Sequence, residues 1–183
     1  IRCIKKLLKF NFQIEGNLKE YYKDYNGIRH DAALLAHGDI NTWNVSLITD
    51  MAELFMGASD FNDDLSNWDV SNVTNMLNMF NGAINFDQDI SNWDVSSVYA
   101  MNNMFTGASS FNIDISTWDV SSALNMDMMF DDATTLSDEN KCAIHTSFSS
   151  NTNWPYDWSD LCNSFTAITQ ENIYEAVNMW MED

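Results

Sequence analysis

A tryptophan recurs every 25 residues, at Trp43, Trp68, Trp93 and Trp118, and almost every residue around it recurs in step. The four copies run GDINTWNVSLITDMAELFMGASDFN from Gly38, DDLSNWDVSNVTNMLNMFNGAINFD from Asp63, QDISNWDVSSVYAMNNMFTGASSFN from Gln88 and IDISTWDVSSALNMDMMFDDATTLS from Ile113, without an insertion. A fixed period of this length means that each unit is one supersecondary element unable to bury its apolar side alone. Neighbouring copies must stack and share a core. Function then belongs on a surface rather than in a single pocket.

Within one copy, DLSNWDV suits a short strand ending at Val70, because of its β-branched and aromatic content. The next stretch, SNVTNMLNMFNGA, places Ser71 as an N-cap before Val73, Met76, Met79 or Phe80 and Ala83 at helical spacing. Gly57, Gly82 and Gly107 end that helix where a left-handed residue is needed, and Asp132 replaces them in the last copy. The expected fold is an α/β solenoid: a leucine-rich-repeat-like stack of strand-helix coils with a narrow parallel sheet and helical caps at both ends. Trp43/68/93/118, Met51/76/101/126, Phe55/80/105/130 and Ala58/83/108/133 become core ladders, with methionine filling irregular gaps.

Flanking segments divide the chain further. Residues 1–16 form a basic extension, 17–37 an N-terminal cap helix with Leu18, Tyr21 and Tyr22 facing the first coil, and 38–135 the repeats. Residues 136–163 read as a C-terminal cap, in which Ser137 caps a helix through Phe148, Pro155 marks a turn, and Trp154 and Trp158 close the core. NIYEAVNMW from Asn172 repeats the pattern of NLKEYYKDY from Asn17, so 164–183 reads as a terminal helix that opens a second array or packs back as a latch. Cys142 and Cys162 flank the cap; oxidised, they close a loop worth about 3 kcal/mol in the chain-entropy picture and imply an oxidising compartment. The alternative is three reduced thiols, and Cys3 is the odd one. His30, His37 and His145 have no ligand spacing with the cysteines.

Charge is divided sharply. Residues 1–29 carry seven basic and three acidic side chains, net +4, whereas 30–183 carry one basic and twenty-four acidic, net −23. The acidic array repels phosphate backbones, which argues against nucleic acid as a partner and for cationic proteins or divalent ions. Net charge of this size also keeps a repetitive, apolar-cored rod soluble. No run of about 18 apolar residues occurs, so no transmembrane segment is expected. The basic IRCIKKLLKF either lies on an anionic membrane surface or straps onto the acidic array.

Two carboxylate columns need an explanation: Asp39, Asp64, Asp89 and Asp114, and Asp69, Asp94 and Asp119 with Asn44. At a coil spacing of about 5 Å, neighbouring charges repel by about 0.8 kcal/mol in water and about 3 kcal/mol near a protein surface. One reading is that each accepts backbone N–H groups of its own turn or the next coil. The other is a row of calcium sites at Asp39, Asp64, Asp89 and Asp114, the only cofactor role the residues suggest.

The phrase SNWDVSNVTNMLNMFNGAINFDQDISNWDVSSV resembles the BspA-like leucine-rich-repeat family, whose units carry W-D-V-S-x-V-x-x-M-x-x-M-F and F-N-x-D-[IL]-S. The closing segment Ser147 to Trp158 resembles the cap of microalgal copies of that family. The resemblance implies a secreted or cell-surface protein acting in adhesion or protein binding, with no catalytic residues to carry over, and an algal source. Departures fall at Leu47-Ile48, Tyr99 and Ala100, and Ala123-Leu124.

The reading that follows is a non-catalytic scaffold or adhesion protein. Its candidate partner contacts are the positions that vary between copies: Ala52, Glu53, Leu77, Asn78, Asn102, Asn103, Asp127 and Met128 on the expected helix face, with Leu47, Asn72, Ser97 and Ser122 at its start. The alternative is an accessory subunit stabilising a large membrane assembly, such as an algal photosynthetic complex in the thylakoid lumen. No Ser-His-Asp order, phosphate loop or zinc spacing stands apart from the repeats, so an enzyme is not expected.

Overall fold

The computed structural model describes residues 39–163; the basic extension, the N-terminal cap expected at 17–37 and the terminal helix expected at 164–183 lie outside the described residues. Four 25-residue coils stack in register. They are called here coils 1 to 4, starting at residues 38, 63, 88 and 113.

The expected α/β architecture is not what forms. Among the described residues there is no strand and no sheet, only isolated parallel bridges linking Asp50, Asn75, Ala100 and Asn125 in sequence. Nor do the coils contain helices. Apart from a 3-10 turn at Ile40–Thr42, the helices are α1, Asp138–Phe148, and α2, Ser159–Asn163, both in the closing segment.

What replaces the expected helix is a chain of overlapping turns, and its amides can be accounted for one by one. In coil 1, the N–H groups of Met51, Glu53, Phe55 and Gly57 donate to the carbonyls of Asn75, Leu77, Met79 and Asn81 in coil 2, at 2.7–2.8 Å. The intervening amides stay at home: Leu54, Met56 and Ala58 donate to the carbonyls of Met51, Glu53 and Phe55. Ala52 donates to Asp50 Oδ1 at 2.8 Å. Coils 2 and 3 repeat the alternation toward the coil that follows.

An α-helix would have kept all these donors for itself. It is excluded by a residue of positive φ in the middle of each run, Glu53, Asn78, Asn103 and Met128, at 54–59°. Four residues later Gly57, Gly82 and Gly107 are also left-handed, at 68–69°, and Asp132 takes that role in coil 4. Consecutive turns bring every third or fourth side chain inward, so their apolar spacing imitates that of a helix.

The core is a set of files along the stack. Phe55, Phe80, Phe105 and Phe130 succeed one another at ring-centroid distances of 5.3, 5.6 and 5.6 Å, near parallel. Phe61, Phe86 and Phe111 form a second file, each ring about 4 Å from its coil-mate in the first. The indoles of Trp68, Trp93 and Trp118 are buried, and Trp93 and Trp118 lie parallel at 6.4 Å. Each indole N–H also donates to the previous coil, to the carbonyls of Ile40, Leu65 and Ile90 at 2.8–3.1 Å. That bond favours tryptophan over phenylalanine at this position: a buried ring with one donor uses the second lone pair of a carbonyl that already accepts an amide of its own turn.

The last coil has no successor, and the closing segment stands in for one. Ser137 caps α1, its hydroxyl accepting from the Asn140 amide at 3.2 Å, and α1 buries Ile144 and Phe148. Asn151 Nδ2 then donates to the carbonyls of Val120 and Ala123, at 2.7 and 2.9 Å. Trp154, Tyr156 and Trp158 all lie within 6.2 Å of the Phe130 ring. The Tyr156 hydroxyl accepts from the Phe130 amide at 2.9 Å, filling the place that the Met129 carbonyl fills for Phe105. Burial of the Tyr156 phenol holds its pKa above the ordinary value.

Candidate interaction surface

Each carboxylate of the two columns is tied to the turn it begins. In the first column, Asp39 Oδ1 accepts from the Asn41 amide, Asp64 from Ser66, Asp89 from Ser91 and Asp114 from Ser116, at 2.8–3.0 Å. Asp64 Oδ2 is also joined to coil 1, accepting from Asn41 Nδ2 at 2.7 Å. Asp39, Asp64, Asp89 and Asp114 are all exposed. Among the described residues, no three His, Cys, Asp or Glu side chains come together as a group that could hold a metal ion.

The second column repeats the device. Asp69, Asp94 and Asp119 accept from the amides of Ser71, Ser96 and Ser121, and Asn44 from that of Ser46. The Ser71 and Ser96 hydroxyls add a second bond to the same oxygen at 2.6 Å. Hydrogen bonds from the serine side chain and then the serine backbone hold the Asp69, Asp94 and Asp119 carboxyls below the ordinary carboxylate pKa. For Asp94 the repulsion from Asp119 and Asp69 acts the other way and is outweighed. Asp89 is lowered in the same manner by Ser91. Hydrogen bonding to the ionised form thus offsets the like-charge repulsion along the file.

The eight residues singled out from their variability occupy two neighbouring columns. Ala52, Leu77, Asn102 and Asp127 pass from buried through half-buried to exposed along the stack. Glu53, Asn78, Asn103 and Met128 are the left-handed residues, with Glu53 and Met128 exposed and the two asparagines half-buried. They sit on a row of turns, not on a helix face. Leu47, Asn72, Ser97 and Ser122 are exposed at a turn tip, Leu47 at 88%.

A further column brings two large apolar groups to the surface. Thr49 and Thr74 give way to Tyr99 and Leu124, exposed at 48% and 69%. The Leu124 amide donates to the Tyr99 carbonyl at 2.8 Å, so the two residues sit side by side on adjacent coils. The sequence marks them as departures from the repeat; their shared exposure needed the stacking register.

Cys142 and Cys162 form a disulfide with Cα atoms 4.9 Å apart, joining α1 to α2. Cys3 lies outside the described residues. Among the described residues, no helix is long and apolar enough to cross a membrane.

No curated protein and no solved structure matches the chain. The sequence profile of one family matches residues 18–142, which take in all four copies and the start of α1. The chain therefore belongs to the family described as "Mycoplasma protein of unknown function, DUF285".

Proposed function

We propose that the chain is a non-catalytic repeat protein of a surface, secreted or cell-attached, that binds a protein partner along its coils. Family membership is compatible with a surface repeat protein, and the BspA-like resemblance of the W-D-V-S-x-V-x-x-M units supports an adhesive or scaffolding role. The observation that carries the reading is the pair Tyr99 and Leu124. The core files stay nearly constant from coil to coil, while these two exposed positions change from threonine to large apolar groups that nothing in the fold requires. Exposed tyrosine is a typical anchor of protein recognition, and adjoining exposed apolar groups mark contact surfaces. The net charge of −19 makes a cationic partner the better fit.

Crosslinking mass spectrometry on native membranes or secreted material identifies the neighbour and its location together. The double variant Tyr99→Ser/Leu124→Ser then weakens binding of that neighbour by about tenfold to a hundredfold at an unchanged melting midpoint. Undiminished binding by the variant sinks the assignment of this surface.

A further inference from the structure

The closing segment is attached unevenly. Its first part, α1, is seated by its own contacts: Ile144 and Phe148 are fully buried, and Asn140 Nδ2 donates to the Asn112 carbonyl at 2.9 Å. Its second part, 149–163, carries the groups that close coil 4, namely Asn151, Trp154, Tyr156 and Trp158, yet Trp154, Tyr156 and Trp158 remain only half-buried. The Cys142–Cys162 disulfide ties the far end of this part back to α1, so the lid as far as Cys162 lies inside the covalent loop. Both cysteines keep partial exposure.

We propose that this pair is a reducible latch: a dithiol reductant opens it, releases residues 149–163 from coil 4 and uncovers Phe130, while coils 1 to 3 stay folded. One thiolate of the reductant attacks a sulfur of the pair and expels the other cysteine as a thiolate. The second thiolate of the reductant then closes its own cyclic disulfide and expels the remaining cysteine. Two electrons enter the pair, and the two cysteines take up the two protons the dithiol gives up. The reduced state has places for those hydrogens. Cys162 Sγ lies 3.5 Å from the Cys142 carbonyl oxygen and 3.8 Å from the Thr146 hydroxyl, so its thiol finds an acceptor without moving α1.

The loss falls on the lid because that is where the closed loop lies. A cross-link over a loop of this length biases local opening by about a hundredfold. Coils 1 to 3 keep their own bonds to neighbouring coils, since stability in a stacked array is set by nearest neighbours.

The test uses the full chain carrying Cys3→Ser, which leaves one pair, with amide hydrogen exchange read at Phe80, Phe105 and Phe130 before and after a dithiol reductant. The latch predicts exchange at Phe130 faster by about a hundredfold, steady rates at Phe80 and Phe105, and recovery on reoxidation. The Cys142→Ser/Cys162→Ser variant should match the reduced protein without any reagent. Three results overturn the proposal: a pair that the dithiol fails to reduce in the folded protein, an unchanged Phe130 once both thiols accept an alkylating label, or equal acceleration at all three amides. The last would make the disulfide a staple of the whole array.

Discussion

At the residue scale, the backbone is steered by left-handed residues that are not glycine. Asparagine tolerates this conformation, and it holds the position in coils 2 and 3, but Glu53 and Met128 hold it at the two ends at a cost of about 1–2 kcal/mol each. Nothing in the identity of a glutamate or a methionine announces positive φ, so these two residues hid the break in the expected helix. Gly57, Gly82 and Gly107 could be read as left-handed from the sequence, and they are. The aspartate columns show the reverse balance. Their spacing gave both readings, turn capping and calcium, and in the structure each carboxylate accepts an amide of its own turn, Asp64 accepting from the Asn41 side chain of coil 1 as well. Because Asp69, Asp94 and Asp119 titrate lower when folded, their contribution is fully present above the ordinary value of 3.8 and is lost as pH falls below it through the lowered values. The melting midpoint of Ser71→Ala/Ser96→Ala should accordingly fall less steeply than wild type between about pH 5 and about pH 2. Parallel curves would remove the serines from that role.

At the element scale, periodicity was legible and element type was not. A series of turns and a helix bury the same positions, Val73, Met76, Met79, Phe80 and Ala83, and the sequence pattern reports burial alone. What separates them is the destination of alternate amides, a property of the neighbouring coil rather than of the run itself. The closing helix was more open to reading: Ser137 before a charged first turn is a local signal, and α1 follows it. Tyr156 was not, because its task, receiving the Phe130 amide, depends on a contact 26 residues away in sequence. Tyr156→Phe keeps the ring and removes that acceptor, leaving a buried amide unpaired. The expected loss is about 1–3 kcal/mol, seen as a lower denaturant midpoint at an unchanged slope. A wild-type midpoint would show that the hydroxyl is dispensable.

At the scale of the molecule, each coil offers its successor the same donors and meets its predecessor with the same carbonyls. Excising residues 64–88 joins Asp63 to Asp89, restores the period and leaves coil 4 and its lid untouched. The shortened chain should fold cooperatively and melt lower than wild type by the worth of one lost interface, as circular dichroism would show. An unfolded product would mean that individual coils carry information the repeat does not.

The alternation along the row of turns has a sense of its own within the stack. Met51, Glu53, Phe55 and Gly57 donate toward coil 2, and Met101, Asn103, Phe105 and Gly107 donate the same way toward coil 4, so along this row the N–H groups point toward the lid. On the other columns the sense reverses: the amides of Thr74, Tyr99 and Leu124 and the indoles of Trp68, Trp93 and Trp118 donate back to the preceding coil. Opposed bonds at every interface fix the lateral offset of one coil on the next, so neighbouring coils cannot slip past each other without giving up donors of both senses.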